Sequence, residues 1–162
     1  MICKGNDKKI NRNNITFFIF VKNCSKAGTD MKNLFKHIDP LRFERRFSNE
    51  ESCLSFLADT KWSKGFVCRK CGNTNYCKGK KPYSRRCTRC KTEESATAHT
   101  VFHACKFPLT SAFELMYQVC QKPDISSYEL SRILETRQMT CWRFKKKLTE
   151  CLEENKSILL ND

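Results

Sequence analysis

Two pairs of cysteines in the middle of the chain have the spacing of metal ligands. The pairs are Cys68 with Cys71 and Cys87 with Cys90, and fifteen residues separate Cys71 from Cys87. The pattern C-x2-C-x15-C-x2-C is a spacing of zinc sites. Four thiolates complete a tetrahedral shell around Zn²⁺, so no coordination position stays open for a substrate. The sequence therefore predicts one structural zinc ion, whose binding energy contributes to folding.

The spacing of the remaining cysteines indicates whether the protein is reduced or disulfide-bonded. The chain has 12 cysteines in all, but those outside the two pairs follow no framework spacing. The apolar stretch 15–21 is followed by Lys22 and Asn23 and by no clean signal-peptidase site. We therefore expect a reducing, cytoplasmic environment. Cys77 is either a strand residue or a spare ligand, and five further cysteines are interpreted as buried helix residues: Cys53, Cys105, Cys120, Cys141 and Cys151.

The charge of the chain favours a polyanionic partner. Its net charge is +14, from 31 Lys and Arg against 17 Asp and Glu. Eleven basic residues and no acidic ones lie between Lys61 and Thr92, and a second basic window without acidic residues covers 136–149. Two concentrated basic segments fit contact with nucleic-acid phosphates better than a diffuse excess of charge does.

Patterning along the chain predicts a small α+β protein, a four-cysteine zinc ribbon with short antiparallel strands, preceded by a helix and followed by a three-helix, helix-turn-helix-like bundle. A capping box from Ser48 to Glu51 predicts the start of the preceding helix. The strand-like pieces of the ribbon are GFVC, NYC, YSRRC and ESATA. The predicted segments are a disordered or spurious extension at 1–30, a helical lead-in at 31–60, the ribbon at 61–107, the helical domain at 108–155 and a tail at 156–162.

Helical periodicity predicts three helices after the ribbon. The first begins between Pro108 and Ser111, and its apolar face contains Phe113, Met116, Tyr117 and Cys120. The second begins with a capping box from Ser126 to Glu129 and buries Leu130, Ile133 and Leu134. The third runs from about Gln138 to about Glu154, and its inward stripe is Cys141, Phe144, Leu148 and Cys151.

The last two helices form a candidate helix-turn-helix, in which the third helix enters the major groove of DNA. Its base-reading residues would be Thr140, Arg143 and Lys147, and its phosphate contacts Arg137, Lys145 and Lys146. The ribbon would add the candidate contacts Lys80, Lys81, Arg85, Arg86 and Arg89. The alternative for these residues is a solvated basic face. Double-stranded DNA is the expected partner, with nucleoid association as the expected location.

The stretch from about 47 to 150 resembles the transposase zinc-ribbon family of bacterial insertion-sequence transposases. The resemblance rests on FSNEESCLSFLADTKWSKGFVCRKCG, YSRRCTRCKTEESATAHTVFHACKFPL, ISSYELSRILE and TCWRFKKKL. It implies that Cys68, Cys71, Cys87 and Cys90 are the zinc ligands and that 125–148 is a DNA-binding helix-turn-helix, with Trp142 and Arg143 at the family's W-R pair. His99 stands where the family usually has glycine, and Glu135 with Thr136 replaces a glycine-apolar turn.

The resemblance also implies a downstream catalytic domain, with three carboxylates that hold two metal ions. Fourteen residues follow Leu148, too few for such a domain, so we expect this chain to bind the element's DNA ends without catalysis. The alternative is a ribbon that binds a protein, such as a full-length transposase or the transcription machinery. A second copy of the chain is a further candidate partner, whereas no membrane and no small-molecule substrate is expected.

Overall fold

Five helices and one three-stranded sheet make up the described part of the chain. The computed structural model describes residues 38–159, and the side chains of residues 38–150. The predicted extension 1–30 and the side chain of Cys151 lie outside these residues. The elements are α1 (Pro40–Arg46), α2 (Glu50–Lys61), β1 (Tyr76–Lys78), β2 (Arg85–Cys87), β3 (Glu93–Glu94), α3 (Leu109–Gln121), α4 (Ser127–Ile133) and α5 (Gln138–Leu159). The predicted α+β class is confirmed, with two helices rather than one in front of the ribbon.

The sheet is a short antiparallel meander in the order β1-β2-β3. Tyr76 pairs with Cys87, and Arg86 pairs with both Cys77 and Glu93. Strand β2 lies within the predicted piece YSRRC, β1 overlaps NYC and extends to Lys78, and β3 shares only Glu94 with ESATA. The piece GFVC does not form a strand, and its residues lie in irregular backbone before the first turn of ligands.

Helix ends follow local capping chemistry. The side chain of Asn49, not Ser48, caps α2 by accepting a hydrogen bond from the N–H of Ser52, so the predicted capping box from Ser48 to Glu51 was wrong and a simple N-cap takes its place. The capping box of α4 is confirmed, with Ser126 and Glu129 bonding reciprocally to each other's backbone N–H. The last helix, α5, continues to Leu159, beyond the predicted end near Glu154.

A single aromatic core connects the helices to the ribbon. The ring of Phe113 on α3 is fully buried, and its centroid lies 4.9 Å from that of Phe47 and 4.7 Å from that of Phe102. The predicted inward residues of α3 are all buried, as are Cys141, Phe144 and Leu148 of α5. One prediction was wrong, because Ile133 at the end of α4 is 51% exposed. The fully buried Cys87 belongs to the same core cluster, so the ribbon has no separate interior.

A buried lysine fastens the ribbon to α2. The Nζ of Lys61 lies 2.6 Å from Oε1 of Glu94 on β3, and it donates to the carbonyl oxygens of Ser95 at 2.9 Å and Ala98 at 2.7 Å. The Lys61 side chain is 4% exposed. Burial lowers the pKa of its ammonium group, and the hydrogen bond to Glu94 acts in the opposite direction. The ribbon and the helical part are therefore held as one unit by a buried charge.

The Lys61 contact predicts a large stability difference between two lysine variants. Lys61→Met removes one partner of a buried ion pair and is expected to lower the free energy of unfolding by about 3 kcal/mol. Lys122→Met breaks an exposed pair with Glu129, where solvent screens the charges, and is expected to leave the unfolding midpoint nearly unchanged. Urea unfolding of the zinc-loaded proteins measures both. Equal midpoints for the two variants would contradict the structural role of Lys61.

Candidate metal centre and nucleic-acid surface

The four predicted ligands come together at the base of the ribbon. The sulfur atoms of Cys68, Cys71, Cys87 and Cys90 all lie within 4.8 Å of one another. The Sγ atoms of Cys68 and Cys90 are 3.4 Å apart, and those of Cys71 and Cys87 are 3.6 Å apart. A tetrahedron with Zn–S bonds of about 2.3 Å has edges of about 3.8 Å. The donor set and its dimensions therefore fit one structural zinc ion.

Each pair of cysteines lies on a turn of the same backbone design. The N–H of Gly72 donates to the carbonyl oxygen of Cys68 at 2.8 Å, and the N–H of Lys91 donates to that of Cys87 at 3.1 Å. Gly72 has φ +71° and Lys91 has φ +61°. The first turn uses glycine for this left-handed conformation, whereas the second imposes it on a lysine, which costs free energy.

Hydrogen bonds at the sulfur atoms of Cys87 and Cys90 favour the thiolate form of these two ligands. Nδ2 of Asn73 lies 3.4 Å from Sγ of Cys87, and Oγ1 of Thr92 lies 3.2 Å from Sγ of Cys90. Burial acts to raise the pKa of the Cys87 thiol, but hydrogen bonds from the backbone of Cys90 and from Asn73 outweigh it and lower the pKa to about 6. Because metals bind the thiolate, these contacts support metal binding.

The comparisons with known proteins agree with this geometry. Residues 48–93 match the family model described as the transposase zinc-ribbon domain. This segment is similar to transposase zinc-ribbon domains. The match covers α2, β1 and β2 and ends at Glu93, the first residue of β3. No curated protein and no solved structure is significantly similar to the chain.

Cysteines and histidines outside the site lie apart from the metal cluster found among the described residues. Cys77 is a strand residue, as one of the two interpretations held, and its Sγ lies 3.6 Å from the carbonyl oxygen of Arg86. His99 and His103 are exposed, with parallel rings whose centroids are 6.1 Å apart. Within the described residues, no helix is both long enough and apolar enough to cross a membrane.

Six of the eleven predicted DNA contacts have exposed side chains. Lys80 and Lys81 lie in the turn between β1 and β2, where the carboxylate of Glu93 accepts hydrogen bonds from the N–H of Lys81 and the hydroxyl of Ser84. Arg89 lies on the second turn of ligands. The remaining three lie in or after the turn between α4 and α5: Arg137, Arg143 and Lys146.

The other five predicted contacts are partly buried, and the side chains of four of them have partners within the protein. Nζ of Lys145 donates to the carbonyl oxygen of Ile125 at 2.5 Å. The guanidinium of Arg85 lies between the rings of Trp62 and Tyr76, 4.5 and 4.1 Å from their centroids, and burial lowers its pKa. Nε of Arg86 donates to the carbonyl oxygen of Lys91 at 3.3 Å. Nζ of Lys147 donates to that of His103 at 3.0 Å, and Thr140 is half-buried.

Sequence reasoning predicted Arg143 and Lys146 on the outward face of α5 but missed the exposed apolar side chains of Met139 and Trp142 beside them. Met139, Trp142, Arg143 and Lys146 are exposed, and they lie opposite the buried stripe Cys141, Phe144 and Leu148. A helical projection of the sequence carries this signal, because the exposed residues recur at i, i+3, i+4 and i+7. The sequence contains no such signal for the contact between Glu94 and Lys61, because these residues are 33 positions apart in the chain.

The two turns predict opposite responses to substitution. Gly72→Ala places a β-carbon on a left-handed residue and is expected to lower zinc affinity about 5- to 30-fold. Lys91→Gly removes the same kind of strain, so zinc affinity should not fall. Competition with a coloured chelator measures both variants. A weaker site in Lys91→Gly together with an unchanged site in Gly72→Ala would show that the backbone conformation does not limit binding.

Two cysteine substitutions within one sheet distinguish a zinc ligand from a cysteine that does not bind zinc. Cys87→Ser removes a thiolate, and we expect less than one bound zinc per chain and loss of the ribbon fold. Cys77→Ser changes the neighbouring strand outside the cluster and should retain one zinc. Native mass spectrometry gives the stoichiometry, and amide exchange of the ribbon gives its order. Retention of one zinc by Cys87→Ser would remove this residue from the ligand set.

Proposed function

We propose that this chain is a zinc-dependent DNA-binding module of a transposase, which binds the DNA ends of its mobile element without catalysis in this chain. The observation that carries the proposal is the exposure of Arg143 and Lys146 on α5 together with Lys80 and Lys81 on the ribbon turn. Lys80 and Lys81 belong to the segment that matches the transposase zinc-ribbon domain. Arg143 and Lys146 belong to α5, the second helix of the pair that follows it. The closed four-thiolate shell gives the metal a structural role.

The geometry of α4 and α5 supports the proposal that α5 contacts DNA bases. Residues 134–137 form a short turn between α4 and α5, a length typical of helix-turn-helix units. Glu135 adopts the left-handed conformation, φ +48°, at the place where the resembled family has glycine. The turn is therefore retained in shape although its usual residue is absent. Leu130 and Cys141 are fully buried and hold the two helices together on the core side, which leaves the opposite side of α5 exposed.

The division of labour we propose follows from the kinds of group that each surface offers. The lysines of the ribbon turn are point charges suited to phosphates, whereas Arg143 offers a planar fork suited to a guanine edge. The partners of Arg85 and Lys147 within the protein argue for a supporting role, in which they hold aromatic rings and the loop around His103 in place.

A selection of ligands from a random duplex library tests the proposed function. The zinc-loaded chain is incubated with the library at about 0.15 M salt, where generic phosphate contacts are substantially screened. We expect enrichment of one motif, and its occurrence in terminal inverted repeats near the gene would identify the element. Binding that disappears with rising salt and enriches no motif would reject a sequence-specific DNA-binding function.

Three matched arginine and lysine variants test the division of labour. Lys80→Ala with Lys81→Ala should weaken binding to all sequences alike and reduce the log–log salt slope by about 2. Arg143→Ala should relax preference at one base pair, with a loss of about 5- to 150-fold at that site. Arg42→Ala on α1, which removes one exposed charge of the same type, is the control. Equal effects of the Arg42 and Arg143 substitutions on affinity and sequence preference would show that DNA binding depends on net charge alone.

A protein partner is the second candidate function. Val67, beside the first ligand, is 60% exposed, and an apolar side chain of this size next to a rigid metal turn suits a protein contact. Val67→Ser should then leave DNA selection unchanged while it weakens association with a full-length transposase of the same element, measured by sedimentation of the two purified proteins. An unchanged association constant would exclude this surface.

A further inference from the structure

Two large apolar side chains project from the outer face of α5. The Met139 side chain is 58% exposed and that of Trp142 is 49% exposed. Single exposed apolar residues are common on protein surfaces, but these two lie one helical turn apart on the face that also carries Arg143 and Lys146. The buried Cys141, Phe144 and Leu148 fix the rotation of the helix, so it cannot turn to hide them.

The setting of Trp142 is strongly positive. Nζ of Lys146 lies 5.5 Å from the centroid of the Trp142 ring, within cation–π range. Arg143 is adjacent, and Glu150, 3.8 Å from Lys146, is the acidic group that faces this cation at the far end of the patch. A partner for the patch must therefore offer negative charge beside a small apolar surface.

The DNA major groove has this combination. Phosphates form its two rims, and the 5-methyl group of thymine is the apolar group that base edges present within it. We propose that Trp142 and Met139 form a thymine-reading pair, which contacts thymine methyl groups in the major groove while Arg143 and Lys146 contact the neighbouring guanine edge and phosphate. This inference rests on the proposed function and specifies what kind of sequence the module recognises.

The pair also distinguishes this helix from one that binds DNA by charge alone. A helix that contacts phosphates gains nothing from an exposed indole, whose apolar surface would remain in water. A helix that contacts methyl groups buries that surface on binding. The proposal therefore links the affinity of the complex to a single methyl group per contacted base pair, a change that leaves Watson–Crick pairing and phosphate charge untouched.

Random duplex libraries synthesised with thymidine or with deoxyuridine test the proposal, because uracil is thymine without its methyl group. We expect the thymine library to give a motif with fixed thymine positions. Uracil at a contacted position of that motif should weaken binding about fourfold. In Trp142→Ala this preference should vanish at the position that Trp142 contacts. Trp142→Phe, which retains an aromatic ring, should keep part of it.

Controls separate this inference from the proposed function. Tyr128→Ala removes an aromatic side chain that is 60% exposed on α4, and it should leave the preference for thymine over uracil unchanged. A motif that wild type enriches equally from both libraries would overturn the thymine-reading pair while leaving specific DNA binding intact. Failure to enrich any motif would overturn the proposed function itself. A Trp142→Ala variant with normal DNA selection but weaker self-association would assign the patch to a protein contact and overturn the inference.

Discussion

Mutual repulsion among four thiolates is the constraint on which the structure depends. The sulfur atoms of the ligand cysteines lie within 4.8 Å of one another, so in their charged form they can coexist there only around a cation. A divalent ion converts this repulsion into the bonds that close the two turns. The ribbon has few apolar residues of its own, and its short strands could not persist without that closure. Metal binding and folding of the ribbon are therefore one process.

The consequences extend beyond the ribbon because its base lies in the common core. Cys87 is fully buried in the same cluster as Phe113 and Leu148, which belong to the helical part. The Lys61–Glu94 contact adds a buried charge between α2 and β3, and the Lys147 contact with the carbonyl of His103 ties α5 to the loop that follows the ribbon. A conformational change at the metal site would thus reach the helix that carries the proposed DNA-reading side chains.

The sequence predicted what depends on short-range spacing. The ligand set follows from two C-x2-C pairs, and the start of α4 follows from its capping box, because both depend on residues a few positions apart. It could not predict which charged side chains stay exposed, since Arg85 and Lys147 acquire partners from distant parts of the chain. In the resembled family, glycine is usual at the positions of His99 and Glu135. The structure explains that preference, because both residues adopt the left-handed conformation, which is costly for residues other than glycine.

The central claim is that one zinc ion organises a unit that binds DNA, and zinc removal tests it most directly. The affinity of the full chain for the duplex recovered by selection is measured with zinc, after complete chelation verified by mass spectrometry, and after zinc is restored. We predict that sequence-specific binding disappears on chelation, together with near-ultraviolet signals of the aromatic core, and that both return with one equivalent of zinc. Unchanged affinity and unchanged sequence preference in the verified zinc-free protein would contradict the account.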